Sequence, residues 1–374
     1  MQDGATMAGI SFLWLALLCG CGGAGGATTP VAQTQVATPA ISTKAAQAGA
    51  QIVSLATATS GATIHYTVDG SIPTASSPIY QAPFLVASNL TLNAYATASG
   101  DKDSKVVTQA FTLNIAPGTL VWSDEFSNAA ASNQQPDPTV WGYDTGNSGF
   151  GNHELENYCA WGSTSSPCDP ANPNAFVGTD GYLHIVARNP AKGVYTSARL
   201  KTEGLHSFRY GRIEARIKMP AGQGFWPAFW MLGNKITTVG WPACGEVDIM
   251  ESVGKFPTMN FGSIHGPGFT GTSITTGYPL PNDAKFADSF HTFGILWSPR
   301  QMKFYVDDPS NIYATYTPAS LTAGGVWPFD SDKFFFILNL AVGGKWPGSP
   351  DATSIFPQEM LVDYVRVYEE LVSR

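Results

Sequence analysis

Charge is scarce in this 374-residue chain: Asp, Glu, Lys and Arg together make 13%, hardly more than the 12% of aromatic residues, against 44% hydrophobic. Surface polarity must then come largely from Ser, Thr, Asn and Gln, a profile that suits an exported β-rich protein better than a helical cytosolic one. No basic run occurs, and the net charge of -8 argues against the footprint of a nucleic-acid binder. Long apolar runs are missing too. "ISFLWLALLCGCGG" has an apolar core of about ten residues, too short for a bilayer span and suited to an export signal.

Cysteine is sparse, with five in all. Leu18, Cys19, Gly20 and Cys21 resemble a bacterial lipoprotein cleavage box, which makes residues 1–21 a signal segment and Cys21 the lipidated first residue of the mature chain. Simple secretion competes with this, since no Lys or Arg precedes the apolar core and Asp3 is acidic. Cys159 and Cys168 flank "AWGSTSSP", a loop short enough to close with one local disulfide in an oxidising compartment. Cys244, beside Gly245 in a strand pattern, reads as a buried small hydrophobe rather than a nucleophile.

Residues 22–37 are Gly, Ala, Thr and Pro-rich without charge, as in a flexible linker. From 38 to 115, short β-type runs alternate with turns, and "ATIHYTVDG" ends in Asp69-Gly70, a strong hairpin signal. "GATIHYTVDGSIPT" resembles the core of the immunoglobulin-like module that ends chitobiases and hexosaminidases, which implies a small β-sandwich acting as spacer or accessory domain. Tyr66, Tyr80 and Tyr95 are expected in its core or strand pairing rather than on a sugar-binding face.

The stretch 118–369 is also strand-rich: "YGRIEARIKMP", "GFWPAFWML", "GEVDIMES", "HTFGILWSP" and "FFFILNLAV" lie among turns, and few segments keep a helical period beyond two turns. An all-β sandwich of two large sheets is expected, with Ile213, Ala215 and Ile217 on a core face and Arg212, Glu214, Arg216 and Lys218 on a wet one. "GEVDIMES" raises a parity problem. In a regular strand Glu246 and Asp248 share a face, whereas Glu251, at an odd offset, would enter the core with Val247 and Ile249. Burying an unpaired carboxylate is costly, so a β-bulge at Met250 or its neighbour is predicted, returning Glu251 to the face of the other two. Two glutamates then stand four strand steps apart, ~13 Å between Cα atoms. Their side chains can lean to the ~5–5.5 Å carboxyl spacing of a retaining glycosidase. Crowding of three acids predicts at least one raised pKa. Upstream, Trp226, Ala228 and Trp230 share a face opposite Phe225, Phe229 and Met231, and two indoles beside acids offer a platform for sugar rings.

At these residues, together with "WSDEF", "GNHELENY", "YTSARLKT", "SIHGPG", "NLAVGGKWPG" and "MLVDYVRVY", the chain closely resembles glycoside hydrolase family 16 of the bacterial laminarinase type. The resemblance implies a β-jelly-roll sandwich with an open cleft and endo-β-1,3-glucanase action, with mixed β-1,3/1,4-glucans as a further substrate. It makes Glu246 the nucleophile, Asp248 the residue that orients and tunes it, and Glu251 the acid/base. It sets Asn152, Arg199, Trp226, Trp230, Trp241 and His265 along the cleft, and the extra residue places the chain in the bulged branch. Asn339 is read as either structural or substrate-contacting. No cofactor is implied for the chemistry. A structural Ca²⁺ is implied at the backbone carbonyls of Glu125 and Gly181 and the carboxylate of Asp363. Glu156 departs from the Gln common in laminarinases. The expected partner is a β-glucan, met by a monomer that is either lipid-anchored or secreted. A galactan hydrolase of agarase or carrageenase type and a non-catalytic glucan-binding protein are the alternatives.

Overall fold

The computed structural model describes residues 33–271 and 274–370. The signal segment, Cys21 and most of the expected linker lie outside these residues. Residues 34–37 do not behave as linker: Val36 is buried, and its N–H bonds Lys102 O while Lys102 N–H bonds Thr34 O. The small module therefore begins a few residues earlier than expected.

That module packs two three-stranded sheets around Val53, Leu92 and Phe84. One orders β1 (Ala40–Ala45), β2 (Gln51–Ala56) and β4 (Phe84–Val86); the other orders β3 (Thr63–Thr67), β5 (Leu90–Thr97) and β6 (Val107–Phe111). The Asp69-Gly70 turn forms, with Ser71 N–H bonding Asp69 Oδ1, but it does not close a hairpin. β3 pairs with β5 instead. Pro73 follows directly, and a residue with no N–H cannot extend a ladder there. Tyr66 and Tyr95 are buried, and Tyr95 stacks on His65.

The larger unit is a jelly-roll sandwich. Its ten-stranded sheet runs β21 (Ile312–Tyr316), β20 (Gln301–Val306), β19 (His291–Ser298), β14 (Gly211–Lys218), β23 (Gln358–Tyr368), β11 (Leu183–Ala191), β12 (Val194–Ser197) and β9 (Glu156–Tyr158). β10 (Ala175–Val177) adds to β11, and β7 (Leu120–Asp124) to β23. The seven-stranded sheet runs β18 (Thr275–Pro279), β17 (Met259–His265), β16 (Glu246–Glu251), β15 (Phe225–Gly233), β22 (Phe334–Val342), β13 (Arg199–Lys201) and β8 (Gly142–Asp144). Between them lies one core, to which Ile213, Ala215, Ile217, Phe225, Phe229, Met231, Phe336 and Leu338 contribute. Alternation holds as expected, with one exception on the wet face of β14. Glu214 is buried, and its Oε2 accepts from Tyr305 OH at 2.5 Å and Arg212 Nη1 at 2.9 Å.

The module is docked rather than strung on. Ala50 and Ile52 join the large core, β4 makes a backbone bond to Ser207, and Lys333 Nζ donates to Tyr66 OH at 2.7 Å over the Phe84 ring. Cys159 and Cys168 form a disulfide immediately after β9, and Cys244 is free and buried. Among the described residues no helix is long and apolar enough to cross a membrane.

Candidate active site

The site begins at a turn. Gly245 has φ +82°, and a Cβ there would lie 2.8 Å from Pro328 Cγ, so glycine is what lets the chain enter β16 against that loop. From Glu246 the strand is regular to Asp248: Leu232 faces Glu246, Met231 faces Val247 and Trp230 faces Asp248. Phe229 then faces Met250 and Ala228 faces Glu251, so Ile249 is the extra residue. The same shift appears on the other side, where Asp248 faces Ser263 and Glu251 faces Phe261. Val247, Ile249 and Met250 are all buried in the core, and Glu246, Asp248 and Glu251 return to the open face. The expected bulge is present, one residue before Met250.

Across that face the register lays out a row: Phe261, Glu251, Ala228, Asn339, Arg199 and Asp144. The next row holds Ser263, Asp248, Trp230, Ile337 and Lys201, and the one beyond it His265, Glu246, Leu232 and Phe335. Residues from distant parts of the chain thus line one floor. His265 places Nε2 2.9 Å from Asp248 Oδ2 and 3.6 Å from Glu246 Oε1. Trp226 Nε1–H donates to Glu251 Oε1 at 3.0 Å, and the Glu251 N–H is held by Asn260 Oδ1. Trp230 uses its Nε1–H on Asn339 Oδ1 at 2.8 Å, which resolves Asn339 as a residue that fixes an indole. Arg199 lies between the rings of Trp230 and Phe150, 4.7 and 4.9 Å from their centroids, and is tied to Asp144 at 2.9 Å. Trp241 is 52% exposed near His265, its ring 6.5 Å from the imidazole, so it offers a bare indole face at the Glu246 end. Asn152 Nδ2 donates to Glu154 Oε1.

Sequence reasoning missed Asp144, Glu154, Tyr158, Asn260 and Trp346. Trp346 packs edge-on to Trp226 and also against Phe261, extending the aromatic wall on the Glu251 side. It stands in the quoted "NLAVGGKWPG", but a tryptophan in a loop carries no periodicity to assign it a face. Asp144 lies on a three-residue strand, too short for any pattern.

Burial pushes all three carboxyls up, Glu246, Asp248 and Glu251 alike to about 8, and neighbouring carboxylates add to the shift for the two glutamates. Opposing forces separate those two. His265 and Arg199 favour ionised Glu246, whereas Glu251 has the more distant imidazole and the Trp226 N–H. The three carboxyls thus share raised values, and the cluster does not carry three full charges near neutral pH.

Two sets of residues bear on a metal. Glu246, Asp248 and His265 bring ligand atoms within 4.8 Å of one another, and all three belong to the cluster on the floor just described. Glu125 follows β7 and Gly181 precedes β11, strands that pair with β23 just beyond and just before Asp363, with Asp124 opposite Val365 and Leu183 opposite Val362. The carboxylates are already engaged, Asp363 by Arg216 at 2.6 Å and Glu125 by Arg366 at 2.7 Å.

Two glutamates and an aspartate on the open floor of a jelly-roll sandwich, flanked by indoles and an imidazole, define a glycoside hydrolase. The profile of "Glycosyl hydrolases family 16" matches residues 169–366, and that of the "Chitobiase/beta-hexosaminidase C-terminal domain" matches 43–108. A beta-glucanase of Rhodothermus marinus is 40% identical over 264 residues, 67% of this chain and 84% of its own. Among solved structures, the laminarinase catalytic domain of Thermotoga petrophila shares 43% identity at a TM-score of 0.59, over 68% of this chain and 98% of its own. The endo-beta-1,3-glucanase of Pyrococcus furiosus shares 44% at 0.59, over 68% and 95%. The chain belongs to glycosyl hydrolases family 16, whose hydrolysis needs no cofactor.

Proposed function

We propose that this enzyme is a retaining endo-β-1,3-glucanase that cleaves laminarin-type β-glucans and accepts mixed β-1,3/1,4 chains. The observation that carries the reading is the bulge at Ile249, which returns Glu251 to the face of Glu246 and Asp248. The named β-glucanases and laminarinases to which the chain is similar support the substrate class.

Glucan lies across the floor with apolar ring faces against Trp226, Trp230 and Trp241 and hydroxyls toward Asn152 and Arg199. Glu246 carboxylate attacks the anomeric carbon as the bond to the departing oxygen breaks, and Glu251 gives that oxygen its proton. The chain is left as an ester on Glu246. Glu251, now a carboxylate, takes a proton from water; the water oxygen attacks the anomeric carbon, and Glu246 leaves as the free carboxylate. Asp248 and His265 tune Glu246 from one side. Export is supported by the Cys159–Cys168 disulfide, which suits an oxidising compartment, and Cys21 is the proposed lipid anchor of a monomer. A calcium at Glu125, Gly181 and Asp363 would staple the two chain ends, with Asp363 exchanging Arg216 for the ion.

Incubation with laminarin, lichenan and agarose, with product sizing, tests the reading. Mixed-length oligosaccharides from laminarin, and none after Glu246→Gln, are expected. Absence of cleavage of any glucan removes the enzyme assignment, and cleavage of agarose instead moves it to a galactan.

A further inference from the structure

Behind the cleft floor lies a second pair of carboxyls that the mechanism does not use. Glu156, at the head of β9, is completely buried, and Glu154 is 8% exposed. Glu154 accepts on both oxygens: Oε1 receives Asn152 Nδ2–H at 3.0 Å, and Oε2 receives Tyr158 O–H at 2.9 Å, and each keeps a further lone pair. Tyr158 OH in turn accepts from Asn339 Nδ2 at 3.1 Å, and Asn339 Oδ1 accepts from Trp230 Nε1. An unbroken chain of donors thus runs from Glu154 to the cleft indole. Glu156 behaves differently. Its Oε2 accepts from Val342 N–H at 2.6 Å, while Oε1 is buried with no donor near it. A buried carboxyl oxygen that receives no donor, on a residue whose interacting neighbour is the Glu154 carboxylate, is the oxygen that carries a proton.

We propose that Glu156 is held as the neutral acid, donates its Oε1 proton to Glu154, and through Glu154, Tyr158 and Asn339 positions Trp230 and Asn152 for substrate. Burial and the adjacent Glu154 carboxylate hold Glu156 well above the usual range, in keeping with this. The same segment pins the far end of β22. Leu155 N–H bonds Val342 O, and Lys345 N–H bonds Asn152 O, so the turn that carries Trp346 is anchored with it. The titratable and charged groups facing the pair are Tyr158 on its own strand and Arg199 on β13; Tyr195 pairs by register from β12, and β22 approaches with Val342. Arg199 is the one cation among them. Its charge acts on Tyr158. Glu156 is thereby a positioning residue, and it explains why this chain tolerates Glu where Gln would supply the same donor and acceptor permanently.

The sign of the pH effect follows. Folded Glu156 keeps a proton that the unfolded chain releases above the ordinary carboxylate range, so stability falls as pH rises beyond about 4.5. Gln removes that slope. The proposal rests on the cleft being a glucan site, and its test combines a readout that does not depend on substrate with one that does. Three comparisons with the parent chain are expected. Glu156→Gln loses one protonated-carboxyl carbonyl band in the infrared. It melts at the parent temperature at pH 5 and above it at pH 8, and it keeps the parent KM for laminarin at pH 6. Glu154→Gln, which cannot accept both donors, raises KM about tenfold with a smaller change in kcat. An unchanged infrared spectrum, a Glu156→Gln chain that fails to fold, or a KM raised equally by Glu156→Gln overturns the proposal. A parent that leaves laminarin intact while the infrared band behaves as described refutes the substrate reading and the link to Trp230, and leaves the proton assignment standing.

Discussion

At the scale of single residues, the proposed chemistry depends on two glutamates with similar burial and different neighbours. Glu246→Gln should lower kcat on laminarin by at least about 10³-fold, since an amide in place of the nucleophilic carboxylate cannot form the ester. Glu251→Gln should lower it about 10²–10⁴-fold. Only the second loss should shrink when an aryl glucan with a good leaving group is supplied, because such a group departs without a proton. With Glu251 raised to about 8, kcat/KM should fall on the alkaline side as that proton is lost. Stability carries the same sign. A carboxyl whose folded pKa is raised destabilises the fold as pH climbs from the usual range through about 8, so Glu251→Gln should melt above wild type at pH 8 and close to it at pH 5. A calorimetric scan at the two pH values checks this, and a lower melting temperature for the variant at pH 8 would contradict it.

At the scale of elements, β16 carries the argument. The parity of its acids was readable from "GEVDIMES" because a buried unpaired carboxylate is too costly to leave in place. Which residue would be extruded was not readable, since Ile249 and Met250 are equally apolar and both end in the core. Deleting Ile249 separates parity from position. The shortened strand needs no bulge to keep all three acids on one face and still sets its two glutamates four strand steps apart, so it should fold. What it loses is the extra local twist of the bulge, and the resulting tilt of the second glutamate should cut laminarin turnover by about 10²-fold. Circular dichroism with a rate assay reads both effects. The alternation of β15 was equally legible, whereas Asp144, Tyr158 and Trp346 reach the site from short strands and turns that have no period. Asp69-Gly70 misled for a related reason: the turn was correctly read, but its partner strand was decided by tertiary pairing of β3 with β5.

At the scale of the whole molecule, the small module is part of the hydrolase's packing. Ile52 lies in the large core, and Lys333, whose burial holds its pKa well below the ordinary range, donates to Tyr66 over the Phe84 ring. A chain lacking residues 38–115 exposes that surface, and losing about 2–3 kcal/mol of apolar burial should lower its melting temperature by roughly 5–10 °C. Its kcat/KM on soluble laminarin should stay within about twofold, since no module residue reaches the floor described above. The proposed mechanism requires that Glu246 and Glu251 face each other closely enough for a covalent intermediate and not for a water between them. The direct measurement is proton NMR of the anomeric signals during the first turnovers of laminarin. The account predicts that the new reducing ends appear first as the β-anomer and only later equilibrate; first appearance as the α-anomer would mean inversion and would contradict it.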